Sequence, residues 1–148
     1  MIRNDQEYKV AVEKLKAEEK VLKEHQPKLA AEGLTASQVK RAMDPLRSFS
    51  MQLREEVEHY EQLNRGIFPE ISNFSGIGQL LVALRIAKNI SQKDLADALG
   101  VNKSAVSRDE KNEYHGITLE RANRVLEALG VRLTTRVEPR EDREKVLA

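Results

Sequence analysis

Four polar side chains in the middle of the sequence have types and spacing suited to contact with DNA bases. Lys103, Ser104, Ser107 and Arg108 lie at i, i+1, i+4 and i+5, so a helix would present them on one face. An arginine can donate two hydrogen bonds to O6 and N7 of guanine, which discriminates against other bases by about 1–3 kcal/mol. A lysine at the start of the helix can reach a base or a phosphate. The pattern therefore predicts a helix that presents these four polar side chains on one face, where their chemistry would suit contact with DNA.

The residues around this face predict two short helices joined by a tight turn. Ser91 is suited to cap a helix over 92–99, and Gly100 is suited to end it. Asn102 is suited to cap the next helix, from 103 to about 111. Apolar side chains between the two helices would form a wedge of core. The outer face of the second helix would then be free to enter the major groove of B-DNA.

This segment resembles the Xre family, the Cro and lambda-repressor-like helix-turn-helix proteins. The resemblance covers about 77–131. Its motifs are Ile90-Ser-Gln-x-x-Leu-Ala, Leu99-Gly-Val, Val106-Ser-Arg-x-Glu110 and Leu129-Gly-Val131. Together these motifs are specific, although each alone would be weak. The resemblance implies a domain that binds double-stranded DNA.

The resemblance also implies a role for individual residues. Gln92 would contact a phosphate and brace the reading helix, and Asn102 would cap that helix and touch the DNA backbone. Arg85 and Glu110 match a pair that forms a partly buried salt bridge in the family. The expected DNA-binding set is Gln92, Asn102, Lys103, Ser104, Ser107 and Arg108.

Two features depart from the family pattern. Asp109 stands where the family usually has an apolar residue, and residues 112–116 replace a short glycine turn. An acidic side chain beside Arg108 would repel phosphate if it faced DNA. We therefore expect Asp109 to face inward or sideways, toward the loop at 114–116.

The first 66 residues predict an antiparallel helical hairpin. Apolar side chains recur every seven residues from Tyr8 to Leu29, and a second stripe runs from Leu46 to Leu63. Pro27 is expected to kink the first helix or start a new one, and Asp44-Pro45 is expected to restart the second. The stripes would form an intramolecular core, a dimer interface or both. The hairpin is assigned to dimerisation, sensing or partner binding.

The remaining boundaries follow from breaks in these patterns. The pattern predicts a linker over residues 67–75, a helix-turn-helix domain over 76–137 and a charged tail over 138–148. Apolar and polar side chains alternate over residues 131–137, with Val131, Leu133 and Val137 as the apolar positions, which predicts a short C-terminal β-strand. A lone strand needs a partner, and some antitoxins of the family pair such a strand across a dimer. The expected fold is thus mostly α, with one strand paired between two copies.

Composition excludes several classes of protein. The 148 residues contain no cysteine, and 40% are hydrophobic. No apolar run is long enough for a membrane span or a signal peptide, so we expect a cytoplasmic protein. The histidines are scattered, and no catalytic grouping or phosphate loop stands out; we expect no metal, no cofactor and no enzyme. Residues 76–137 carry 10 Lys/Arg against 7 Asp/Glu, a net charge of +3, which permits nucleic-acid binding.

Two functions fit these observations. The first is a homodimeric, sequence-specific repressor that binds an inverted repeat. The second is an antitoxin that neutralises a toxin through its N-terminal helices and autoregulates its operon. A third, less favoured function is a scaffold whose helix-turn-helix packs against another protein. A DNA affinity that falls with salt would argue against the scaffold, because phosphate contacts release counterions and protein packing does not.

Overall fold

The computed structural model describes residues 1–140, and this part of the chain folds into six α-helices. The prediction of a mostly α fold is confirmed. No helix in the described range is long and apolar enough to cross a membrane. The helices are α1 (Asp5–Ala31), α2 (Ala36–Asn64), α3 (Ile77–Ala87), α4 (Gln92–Leu99), α5 (Lys103–Lys111) and α6 (Leu119–Leu129).

Helices α1 and α2 pack against each other in opposite directions. The Tyr8 hydroxyl donates to Glu61 Oε1 at 2.7 Å near one end, and Arg47 Nη2 donates to Gln26 Oε1 at 2.8 Å near the other. A contact early in α1 thus meets the end of α2, as an antiparallel hairpin requires. The rings of Tyr8 and Tyr60 stack with centroids 5.0 Å apart, which adds an aromatic contact to this interface.

Both helices of the hairpin run through a proline. Pro27 lies inside α1 and Pro45 inside α2, so the predicted restart at Asp44-Pro45 is wrong. A proline inside a helix costs about 3 kcal/mol through a lost hydrogen bond and a steric clash. Met43 and Ser50, on either side of Pro45, are both buried, so packing holds α2 together across the proline. Helix α2 begins with a capping box, in which the Thr35 side chain accepts from the amide of Gln38 and the Gln38 side chain accepts from the amide of Thr35.

Helix α3 forms the centre of the molecule. Every side chain from Leu80 to Ile86 is buried, which requires neighbours on all sides of the helix. The same core cluster includes Tyr60 and Leu63 of the hairpin and Val125 of α6. The hairpin and the C-terminal helices therefore share one hydrophobic core. The division into a hairpin and a helix-turn-helix domain joined by a linker at 67–75 stays a prediction.

The residues after α6 contain neither a helix nor a strand between 131 and 140, the last residue that the structure describes. Val131 and Leu133 pack against the core of their own chain, whereas Val137 is 91% exposed. A strand that pairs across a dimer stays a prediction. The predicted charged tail continues into residues 141–148, which lie outside the described range.

Candidate nucleic-acid interface

Helices α4 and α5 meet at a turn that local hydrogen bonds close. Ser91 Oγ accepts from the amide of Asp94 at 3.0 Å and donates to Asp94 Oδ2 at 2.7 Å, which fixes the start of α4. Gly100 ends α4 with φ at +68°, a left-handed conformation that glycine adopts without a steric cost. The amide of Val101 then donates to the carbonyl of Ala96 at 3.0 Å. The turn therefore sets the angle between the two helices.

Helix α5 is buried on one side and open on the other. Val106 and Glu110 face the interior, and each is 1% exposed. On the opposite face Lys103, Ser104 and Arg108 are exposed, as the spacing in the sequence predicts, and Ser107 is half-buried beside them. Arg108 Nε donates to the carbonyl of Ser104 at 3.3 Å. This bond uses one of the five guanidinium donors and leaves four for a ligand.

Asn102 differs from its expected role in one respect. It occupies the N-cap position of α5, with φ −74° and ψ 147°, but its side chain makes no cap hydrogen bond. The Asn102 backbone carbonyl accepts from the amide of Ala105 at 2.9 Å instead. The side-chain amide is exposed and is thus available to a ligand.

A buried ion pair locks three helices together behind the exposed face of α5. Arg85 of α3 is 4% exposed, and its Nη2 donates to Glu110 Oε2 at 2.9 Å while its Nε pairs with Oε1. Arg85 Nη1 also donates to the carbonyl of Ile90 at 2.7 Å. From α4, Gln92 Nε2 donates to Glu110 Oε2 at 2.7 Å. Two-point binding of this kind fixes both distance and orientation, so α5 is held against α3 and α4.

Comparison with known families identifies this region. Residues 81–135 match a family model described as helix-turn-helix. The segment is similar to Xre-like helix-turn-helix domains of the Cro/C1 type. The match covers a little over a third of the chain and leaves the N-terminal hairpin outside it. The chain matches no curated protein and no solved structure.

The match to a helix-turn-helix family supports a role in DNA binding and transcription regulation. In a domain of this class α5 has the position of the recognition helix, and α4 has the position of the helix before it. In this domain class the recognition helix enters the major groove with its N-terminal residues against the base edges. Lys103 and Ser104 occupy those positions here.

Asp109 lies to the side of the recognition helix rather than on its exposed face. Its carboxylate forms an ion pair with Arg121 of α6, and its backbone carbonyl accepts from the amide of Tyr114 at 2.7 Å. Arg121 thus neutralises the negative charge that stands next to Arg108. The expectation that Asp109 faces sideways fits this position, but the sequence did not indicate Arg121 as its partner.

The loop after the recognition helix contains two features that the sequence pattern did not reveal. Tyr114 is 5% exposed, and its burial, together with the charges of Glu110 and Asp109, raises its pKa to about 12. A Cβ atom on Gly78 would stand 1.9 Å from the carbonyl oxygen of Glu113, so only glycine lets the loop approach α3. A glycine inside an otherwise apolar helix was the available signal, because such a residue often marks close approach of another backbone.

Proposed function

We propose that the protein is a homodimeric repressor that binds an inverted repeat through the major groove of DNA. The observation that carries this proposal is the exposed face of α5, held from behind by the buried Arg85–Glu110 pair. A rigid support matters because base contacts require side chains to be placed accurately before binding. The exposed face of α5 combines hydrogen-bond donors with a fixed orientation, which supports the proposal.

Each polar group of the face has a chemical role in the proposed complex. Arg108 reads guanine through its free guanidinium donors, while Lys103 and Ser104 reach neighbouring base edges. Asn102 and Gln92 contact the phosphate backbone. One amide hydrogen of Gln92 is used by Glu110, and the second can still donate to a phosphate oxygen. Ser107 borders the face and contributes a hydroxyl.

The proposed dimer places two recognition helices on one side of the duplex. Residues 131–137 alternate apolar and polar side chains, and a strand in this segment would satisfy its hydrogen bonds with the same strand of a second copy. Two half-sites read in this way would be separated by one helical turn, about 34 Å. Repression follows if the operator overlaps a promoter.

The direct test is substitution of Arg108 by alanine. A duplex would first be selected from a random-sequence library with the wild-type protein. Arg108→Ala should lose about 1–3 kcal/mol of preference for that duplex over a scrambled one, because one bidentate base contact is removed. Arg41→Ala, an exposed arginine of the hairpin, is the matched control and should keep the preference. An Arg108→Ala protein with unchanged preference would rule out this recognition surface.

An antitoxin is the second candidate, and one feature of the hairpin favours it. Val10, Val21 and Phe49 are each at least half exposed, and Lys14 Nζ lies 4.7 Å from the centre of the Phe49 ring. Val10, Lys14 and Val21 share one helix face because they are spaced by four and seven residues. An apolar surface of this kind suits a protein partner.

The antitoxin alternative can be separated from the repressor by co-expression. The product of the neighbouring gene would be expressed with and without this protein, and growth would be measured. Relief of growth inhibition that is lost in Phe49→Glu supports the antitoxin. Unchanged growth in every combination leaves the repressor as the function.

A further inference from the structure

A groove beside the recognition helix brings together residues that are far apart in the sequence. It has a volume of about 410 Å³. One wall is the N-terminal segment with Arg3 and Glu7, and the other is formed by Lys93 of α4 with Lys103 and Ser107 of α5. Lys103 and Ser107 also belong to the proposed DNA-reading face. The groove is therefore continuous with that face.

Arg3 is held at the groove by the structure around it. Ile2, the preceding residue, is 5% exposed and belongs to the hydrophobic core. The backbone amide of Arg3 donates to Glu7 Oε2 at 2.9 Å, and the amide of Glu7 donates to Asn4 Oδ1 at 2.8 Å. These contacts anchor the N-terminal segment on both sides of Arg3.

The charges of the groove favour an anion. Arg3, Lys93 and Lys103 face a single carboxylate, that of Glu7, which leaves two net positive charges. Arg85 also borders the groove, but its charge is balanced by Glu110. The positive end of the α4 dipole, at the first turn of that helix, adds to the same potential.

Arg3 also has an unused hydrogen-bond donor. Its Nε is shielded from solvent and has no partner among the residues that the structure describes. The Arg3 side chain makes no hydrogen bond to the described residues, so its Nη1 and Nη2 donors are available to a ligand in the groove. A phosphate oxygen accepts from a guanidinium in a two-point geometry.

We propose that this groove binds a phosphate of the DNA backbone, with Arg3 and Lys93 as its donors. The inference rests on the proposed function, since it places the phosphate next to the bases that α5 reads. It extends the DNA interface beyond the helix-turn-helix domain to the N-terminal segment of the hairpin. The hairpin is then part of the DNA-binding surface and adds affinity without adding base specificity.

The test measures binding of a selected duplex and of a scrambled duplex by fluorescence anisotropy over a range of KCl concentrations. Arg3→Gln and Lys93→Gln should each weaken binding to both duplexes by about tenfold, the effect of one charge-assisted hydrogen bond. Each should also lower the dependence of log affinity on log salt by about 1, because one phosphate contact is lost. Arg41→Gln, the same chemical change at the far end of the hairpin, should change neither quantity.

The outcomes separate this inference from the function on which it rests. If the wild type binds no duplex, both fail. If Arg108→Ala loses sequence preference while Arg3→Gln and Lys93→Gln behave as Arg41→Gln does, only the groove assignment fails. Tighter binding by Arg3→Gln would also overturn it, because the N-terminal segment would then obstruct DNA. Lys93 is exposed on α4, so its variant keeps the test decisive if Arg3→Gln does not fold.

A free phosphate ion is the other source of the same chemistry. Inorganic phosphate would be added to the protein without DNA, and the melting temperature would be followed against KCl at equal ionic strength. The proposal expects no difference between the wild type and Arg3→Gln. A phosphate-specific stabilisation of the wild type, together with unchanged DNA affinity of Arg3→Gln, would assign the groove to the free ion instead.

Discussion

Removal of one partner of the Arg85–Glu110 pair should destabilise the protein more than removal of both. Arg85→Met leaves the Glu110 carboxylate in the core without its main donor, and Glu110→Leu leaves the guanidinium without its acceptor. Both side chains are at most 4% exposed, so water cannot replace the missing partner. Loss of one partner of a buried pair costs about 3–5 kcal/mol. That is a large part of the roughly 5–15 kcal/mol by which a domain is stable.

The double variant Arg85→Met/Glu110→Leu should recover much of this loss. It removes both charges and fills the site with apolar groups, a change that is often neutral or stabilising. Two hydrogen bonds are still lost, those of Ile90 and Gln92. The Gln92 side chain is partly exposed, so water satisfies it at a cost well below that of a buried charge. The coupling between the two substitutions should therefore be about 2–3 kcal/mol or more.

The assay is urea unfolding followed by far-UV circular dichroism, with the free energy of unfolding from linear extrapolation. The wild type, both single variants and the double variant form a complete cycle. Single variants that lose less than about 1 kcal/mol, or losses that add within about 0.5 kcal/mol, would refute the interpretation of this pair as a tightly coupled lock. Lower DNA affinity in a single variant that still folds would show that the Arg85–Glu110 pair also positions α5 for DNA binding.

Two further predictions concern the loop behind the recognition helix. Stability should fall as the pH rises from 10 to 12, because the unfolded chain loses the Tyr114 proton near pH 10 while the folded chain keeps it until about 12. In Tyr114→Phe this fall should be shallower, and equal slopes would contradict it. The remaining fall comes from Tyr8 and Tyr60, whose pKa values are raised by a hydrogen bond to Glu61 and by burial respectively. Gly78→Ala should lower the free energy of unfolding in urea by about 1–3 kcal/mol, because the added Cβ overlaps the carbonyl oxygen of Glu113. This loss is expected even though alanine favours a helix more than glycine does. A variant as stable as the wild type would show that the loop can move aside.

The features that could be predicted from the amino-acid pattern are those set by neighbours in the chain. Helix caps such as Ser91 and Thr35 act on amides three residues away, so a short window of sequence specifies them. The exposed face of α5 follows from helical spacing. Glycine at the end of α4 marks the turn because few other residues adopt its backbone conformation. Local sequence alone is therefore enough to predict the helix-turn-helix and its polar face.

Contacts between distant segments were decided only by the tertiary structure. Helix α2 continues through Pro45 because packing offsets a local penalty that the sequence pattern indicates. The turn between α5 and α6 brings Arg121 to Asp109, where the two form an ion pair. Arg3 borders the same groove as Lys103 of α5 only because the start of the hairpin lies beside α4. These contacts depend on which faces meet in three dimensions, and periodicity along the chain carries no information about that. The placement of Arg3 is the clearest case, since about 90 residues separate it from Lys93.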